Sequence, residues 1–145
     1  MQLRYQPAAD RLLWQLRTTG GELYAVWLTR RMVRLLWPPL VRLVTQAGVA
    51  QEMPHATVLP EARAMLAQAL HDRPLPGTSF DLPFDTRVAA QPLGAEPLLP
   101  DAIDLGPGEG GQGLKLQLRE GTARRLGMQL GADLATALQR LLEQA

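Results

Sequence analysis

Apolar and polar positions alternate along residues 12–17, LLWQLR. Leu12, Trp14 and Leu16 fall on one side and Leu13, Gln15 and Arg17 on the other, the period of a strand. Thr18-Thr19-Gly20-Gly21 follows, and glycine's access to positive φ suits a tight hairpin turn. In residues 23–28, Tyr24, Val26 and Leu28 form an apolar row, with Leu23, Ala25 and Trp27 facing away. Thr29 is placed to cap a helix, and beyond it the period changes from two to about 3.6. From residue 30 to about residue 46, Met32, Val33, Leu36, Leu40, Leu43 and Val44 share one helical face, opposite Arg30, Arg31, Arg34 and Arg42. Pro38 and Pro39 predict a kink or a break between Leu36 and Leu40, because proline donates no N–H and disfavours helical backbone in the residue before it.

The same succession closes the chain. A shift of 102 residues, from Leu12 to Leu114, lays Gln15-Leu16-Arg17 on Gln117-Leu118-Arg119 and Leu28, Leu36 and Leu40 on Leu130, Leu138 and Leu142. Trp14, Tyr24, Val26 and Met32 fall on Leu116, Leu126, Met128 and Leu134, and Leu3 falls on Leu105. The hydrophobic period switches at the same place in both copies, which predicts a hairpin over 114–130 and a helix over about 133–143 with Leu134, Leu138, Leu141 and Leu142 facing the core. Residues 3–6 and 102–105 read as an opening strand for each copy.

Between the copies, residues 48–60 read as loop and residues 60–71, PEARAMLAQALH, as a short helix started by proline and packed through Ala64, Leu66, Ala67 and Leu70. Proline density over residues 73–100 predicts an extended connection, with residues 80–84, FDLPF, as an edge strand. A chain of 145 residues suits one domain, able to bury roughly 70% of its unfolded surface. Three parts are expected: a first repeat over about 1–47, an acidic connection over about 48–100 and a second repeat over about 101–145.

Charge changes this picture only locally. The net charge is +1, which argues against a strongly basic nucleic-acid binder. Residues 1–50 nevertheless hold seven arginines against Asp10 and Glu22, and residues 51–110 hold nine acids against Arg63, Arg73 and Arg87. Residues 111–145 hold Lys115 and four arginines against Glu120, Asp133 and Glu143. With no cysteine there is no disulfide and no thiolate nucleophile or ligand. No apolar run approaches the roughly 20 residues of a spanning helix, and the N-terminus lacks the layout of a signal peptide, so a cytoplasmic, membrane-free protein is expected.

Catalytic and cofactor chemistry finds little purchase. The glycine-rich stretch 106–113, GPGEGGQG, runs into a strand rather than a helix, unlike a phosphate loop. His55 and His71 have no ligand spacing, and Ser79 has no surrounding Gly-x-Ser-x-Gly elbow. Asp81 and Asp85, like Asp101 and Asp104, flank short strands with no apolar pocket to raise a pKa. No catalytic residue, metal or cofactor is expected, and membrane docking of the first helix ranks below burial of its apolar side against the hairpin.

The remaining signal lies on the sheet faces turned away from the apolar rows. In the first copy they carry Leu13, Gln15, Arg17, Leu23 and Trp27, and in the second Lys115, Gln117, Arg119, Arg125 and Gln129. Cations with an interleaved aromatic offer a single strand a charged track and a stacking plane worth about 1–3 kcal/mol per base. A solvated antiparallel face also contains such residues as a matter of course. The expected fold is α+β: two βββα units, each an antiparallel sheet with a helix packed on it, related by a pseudo-two-fold. That architecture is similar to the plant Whirly single-stranded-DNA-binding domains, also two sheet-plus-helix halves; the likeness is one of topology and transfers no residue. The expected function is non-enzymatic binding of single-stranded nucleic acid through Arg17, Trp27, Lys115, Arg119 and Arg125. The alternative is an interaction module that forms a homo-oligomer through Leu23 and Trp27.

Overall fold

Among the described residues, three strands and a helix follow one another in an order that the chain uses twice. In the computed structural model, which describes residues 1–53, 59–75, 83–85, 87 and 90–145, strands β1 (Gln2–Gln6), β2 (Arg11–Arg17) and β3 (Leu23–Leu28) precede helix α1 (Arg30–Glu52). Helix α2 (Pro60–Asp72) stands in the connection, and β4 (Ala102–Pro107), β5 (Leu114–Glu120), β6 (Arg124–Leu130) and α3 (Ala132–Gln144) repeat the succession. Each unit is a three-stranded antiparallel meander, β1-β2-β3 and β4-β5-β6.

The duplication extends to strand register. Leu12 pairs with Leu28, Trp14 with Val26 and Leu16 with Tyr24, while Leu114 pairs with Leu130, Leu116 with Met128 and Leu118 with Leu126. All of these pairs differ by 102, as do Leu3↔Trp14 and Leu105↔Leu116. Even the short 3₁₀ turns that join the first two strands of each unit, Pro7–Ala9 and Glu109–Gly111, stand 102 apart. Register is fixed because a one-residue slip would turn every apolar row of a strand toward water.

The inward rows of both sheets meet the helices in a common cluster that includes Trp14, Val26, Leu28, Leu36, Leu40, Leu116, Leu118 and Leu138. Each helix also reaches the other unit, α1 lying against β4 and α3 touching β1. Tyr24 and Met128, expected in the core, are half-buried. The Trp14 indole N–H, fully buried, has no hydrogen-bond partner among the described residues, in the slot that Leu116 fills in the second unit.

Three expectations about the helices are corrected. Of the kink or break expected at Pro38 and Pro39 the break is absent, and α1 continues past Gln46 to Glu52, through residues assigned to a loop. The two prolines deprive the carbonyls of Arg34 and Leu35 of their donors, but Arg34, Leu35 and Pro38 face solvent, where water can satisfy them. Leu36 and Leu40, both fully buried, pin the helix to the core on either side. Leu134 is the third correction: it is 44% exposed, although its counterpart Met32 is 1% exposed. In α3 the buried face is set by Ala135, Leu138 and Gln139, with Leu141 and Leu142 half-buried.

Thr29 caps α1 as expected, its hydroxyl accepting from the Met32 N–H at 3.3 Å. The first turn holds no acid. Asp10 supplies one from the β1–β2 turn, its carboxylate 3.0 Å from Arg30 and accepting the Tyr5 hydroxyl at 2.7 Å. The Tyr5 hydroxyl and Arg30 hold the Asp10 carboxyl below its usual range. In α2 the expected packing side is half-buried at Leu66, Ala67 and Leu70 and exposed at Ala64. Residues 80–82 of the expected edge strand lie outside the described residues, and Pro83 and Phe84 are not in a strand.

Leu36→Ala should destabilise the protein by about 2–5 kcal/mol through lost burial and a residual cavity, and Leu138→Ala should do the same. The rotated face of α3 predicts an unequal second pair. Met32→Ala should fall in that range, whereas Leu134→Ala should stay within about 1 kcal/mol. Urea unfolding of the four variants measures both comparisons.

Candidate binding surfaces

Strand alternation puts the five candidate residues on two separate sheets. Arg17 and Trp27 belong to the outer face of the first, beside Arg4 and Leu13; Arg4, Leu13 and Trp27 are aligned across the ladder. Lys115, Arg119 and Arg125 belong to the outer face of the second, where Lys115 pairs with Gln129 and Arg119 with Arg125.

On the first sheet the acidic connection takes up much of what the sequence leaves open. Arg17 lies 2.6 Å from the Asp85 carboxylate and also donates to the Asp85 carbonyl. Hydrogen bonds from Arg87, together with the charge of Arg17, hold the Asp85 carboxyl well below the usual carboxylate range. Because the shift is downward, the contribution of this pairing is complete above about pH 4 and is lost as pH falls through the lower folded value. At neutral pH Arg17 is therefore ion-paired, with a carboxylate that Arg87 shares at 3.1 Å. Leu23, expected to be an exposed contact, is 7% exposed, because its flank is taken by the connection. The Leu23 N–H donates to the Ala90 carbonyl at 3.0 Å, the Trp27 N–H to Leu98 at 2.7 Å, and the Leu98 N–H to Ala25 at 2.9 Å. Trp27 keeps a half-exposed side chain.

The second sheet is more open. Lys115, Gln117, Arg119, Arg125 and Gln129 are all exposed. Arg119 donates to Asp104 at 3.1 Å, in a pair that stays over half exposed on both sides. Lys115 and Arg125 carry no ion pair among the described residues. Asp104 sits on the same face, aligned with Gln117, so the face carries three cations and one acid.

A residue the sequence reading did not single out, Arg124, ties the connection to the second unit. Its guanidinium donates to the carbonyls of Leu93 and Glu96 at 3.0 and 2.8 Å, to that of Pro97, and to the Glu120 carboxylate at 2.7 Å. Glu120 in turn accepts from the Leu99 N–H at 2.9 Å. Nothing in a pattern of alternate residues distinguishes Arg124 from Arg125, which points the other way.

The polar groups set aside for chemistry are engaged in local structure. His71 lies 3.2 Å from Glu143, which also accepts from Gln139, and Arg140 caps the end of α2 by donating to the carbonyls of His71 and Arg73. These groups border a cavity of about 600 Å³ between the three helices, also lined by Val44, Gly48 and Ala135. Asp101 accepts from the Gly121 N–H, and the glycine-rich stretch forms the turn between β4 and β5. His55, Ser79 and Asp81 lie outside the described residues. Among the described residues no three acidic or histidine side chains are grouped as metal ligands, and no helix is long and apolar enough to cross a membrane. Comparison with protein-family models, curated proteins and solved structures returned no match.

Arg124→Ala should release the connection from the second unit while leaving the strands paired. The expected sign is faster hydrogen exchange at the Trp27 and Leu98 amides, with the Leu116 and Leu118 amides unchanged. Exchange read by NMR at these four positions checks it.

Proposed function

We propose that this chain is a non-enzymatic binding module whose ligand surface is the outer face of the second sheet, and that a single nucleic-acid strand is the ligand. The observation that carries the reading is the grouping of exposed Lys115, Arg119 and Arg125 around Gln117 and Gln129, on a face where Lys115 and Arg125 have no ion pair among the described residues. Such a face offers phosphate contacts and side-chain amides for sugar and base edges. It offers no ring for stacking, because Trp27 stands on the other sheet. The net charge of +1 makes binding weak and dependent on local charge. Arg17, paired with Asp85, falls outside this surface.

A second reading, self-association through the first sheet, is favoured by the half-exposed neighbours Leu13 and Trp27. It loses Leu23, which the chain itself covers.

Binding of a labelled single-stranded oligonucleotide, followed by anisotropy over a salt series, separates the two. Lys115→Ala and Arg125→Ala should each lower the salt slope by roughly 0.7, the amount for one phosphate contact on a single strand. Arg17→Ala should leave the slope unchanged. The self-association reading predicts flat anisotropy and a sedimenting dimer that Trp27→Glu dissociates.

A further inference from the structure

The two units share a register but do not treat their third strand alike. In the first unit the outward edge of β3 is covered: Leu23, Ala25 and Trp27 turn their backbone groups to Ala90 and Leu98, which run parallel to the strand. Leu98 is fully buried there beside Val26, also fully buried. The 102-residue shift carries Leu23, Ala25, Val26 and Trp27 onto Arg125, Gly127, Met128 and Gln129. On this edge of β6, none of the described residues accepts from or donates to the backbone of Arg125, Gly127 or Gln129. Met128, the counterpart of a wholly enclosed valine, is correspondingly half-exposed.

An open seven-residue edge strand is a template for another strand, and folded proteins ordinarily cover or blunt it. We propose that the β6 edge receives an extended segment of a partner protein, added parallel to β6 as Leu98 is added to β3. The covered edge defines the chemistry of that segment. At the place of Leu98 it carries an apolar side chain that closes over Met128, its N–H donating to Gly127 and its carbonyl accepting from Gln129. Three residues before that apolar position, where an extended parallel segment passes Arg125, it carries an acid, because Arg125 pairs with Arg119 on the outer face of the same sheet. Backbone pairing supplies the attachment, and the apolar and acidic positions supply selectivity. The inference shares Arg125 with the nucleic-acid reading but stands on the strand edge, whereas that reading stands on the face of the sheet.

The full chain is titrated into a fluorescein-labelled peptide with the sequence of residues 90–101 carrying Ala95→Glu, three residues before Leu98. Saturable binding at micromolar protein is expected, with NMR shifts at the Arg125, Gly127 and Gln129 amides. Gln129→Pro removes an outward N–H without touching the β5 ladder, so it should weaken binding at least tenfold; proline is tolerated on such an edge. Arg125→Glu, at an exposed site, should do likewise, and a peptide carrying lysine in place of the glutamate should restore binding to that variant. Absence of peptide binding at about 0.1 mM protein, which would half-saturate a contact with a Kd of that size, overturns the proposal. So do shifts confined to the Leu23 and Trp27 amides, or a dimer of the chain that occupies β6 and excludes the peptide.

Discussion

The structure depends on one constraint: two meanders with the same register must bury their inward rows on a shared set of helices. Trp14 and Val26 from one sheet and Leu116 and Leu118 from the other belong to one cluster with Leu36, Leu40 and Leu138. Neither unit alone has enough cover, since α1 lies against β4 and α3 touches β1. Three strands and one helix are near the lower limit of what can bury an apolar face. The crossing of helices between units makes that limit irrelevant, and it also makes α1 tolerant of two prolines. Burial of Leu36 and Leu40 on the inner side holds the helix while its solvent side gives up two hydrogen bonds.

That constraint was legible where the sequence is periodic. The alternation in LLWQLR and LKLQLR, the change of period after Thr29, and the 102-residue shift lead directly to the strands, the helices and their pairing. Leu134 shows the limit of transferring a face by repeat. The shift equates it with Met32, but α3 turns Ala135 and Gln139 toward the other helices instead, small or polar residues that a hydrophobic count passes over. The run of α1 to Glu52 was hidden for a similar reason, because Ala47, Gly48 and Ala50 carry no strong apolar signal.

The candidate surface was legible only in part. Alternation places Arg17, Lys115, Arg119 and Arg125 on outward faces, and all four are exposed. It cannot say which of them meets an acid far away in sequence. Asp85 reaches Arg17 across 68 residues, and Ala90 and Leu98 pair with β3 from within a proline-rich stretch whose spacing has no period. Glu22 to Ala90 and Val26 to Leu98 advance by four residues on one side and eight on the other. An irregular cover of this kind follows from tertiary packing, and no local propensity encodes it.

The acidic connection therefore divides the labour between two units that share one architecture and register. It pairs Arg17 with Asp85, flanks Leu23 and occupies the β3 edge, so the first sheet is largely satisfied by its own chain. Arg124 fastens the same segment to the second unit through carbonyls, which uses one cation of that unit but leaves its outer face untouched. Outward positions have diverged in the same sense: Leu13, Leu23 and Trp27 in the first unit answer to Lys115, Arg125 and Gln129 in the second. Apolar groups stand where the chain supplies cover, and cationic or amide groups stand where it does not. A solvated face would account for polar residues at these positions, but it would not leave Met128 half-exposed beside a strand edge whose counterpart is closed. The asymmetry of cover, more than the charge itself, sets the second sheet apart as the side on which we propose a partner.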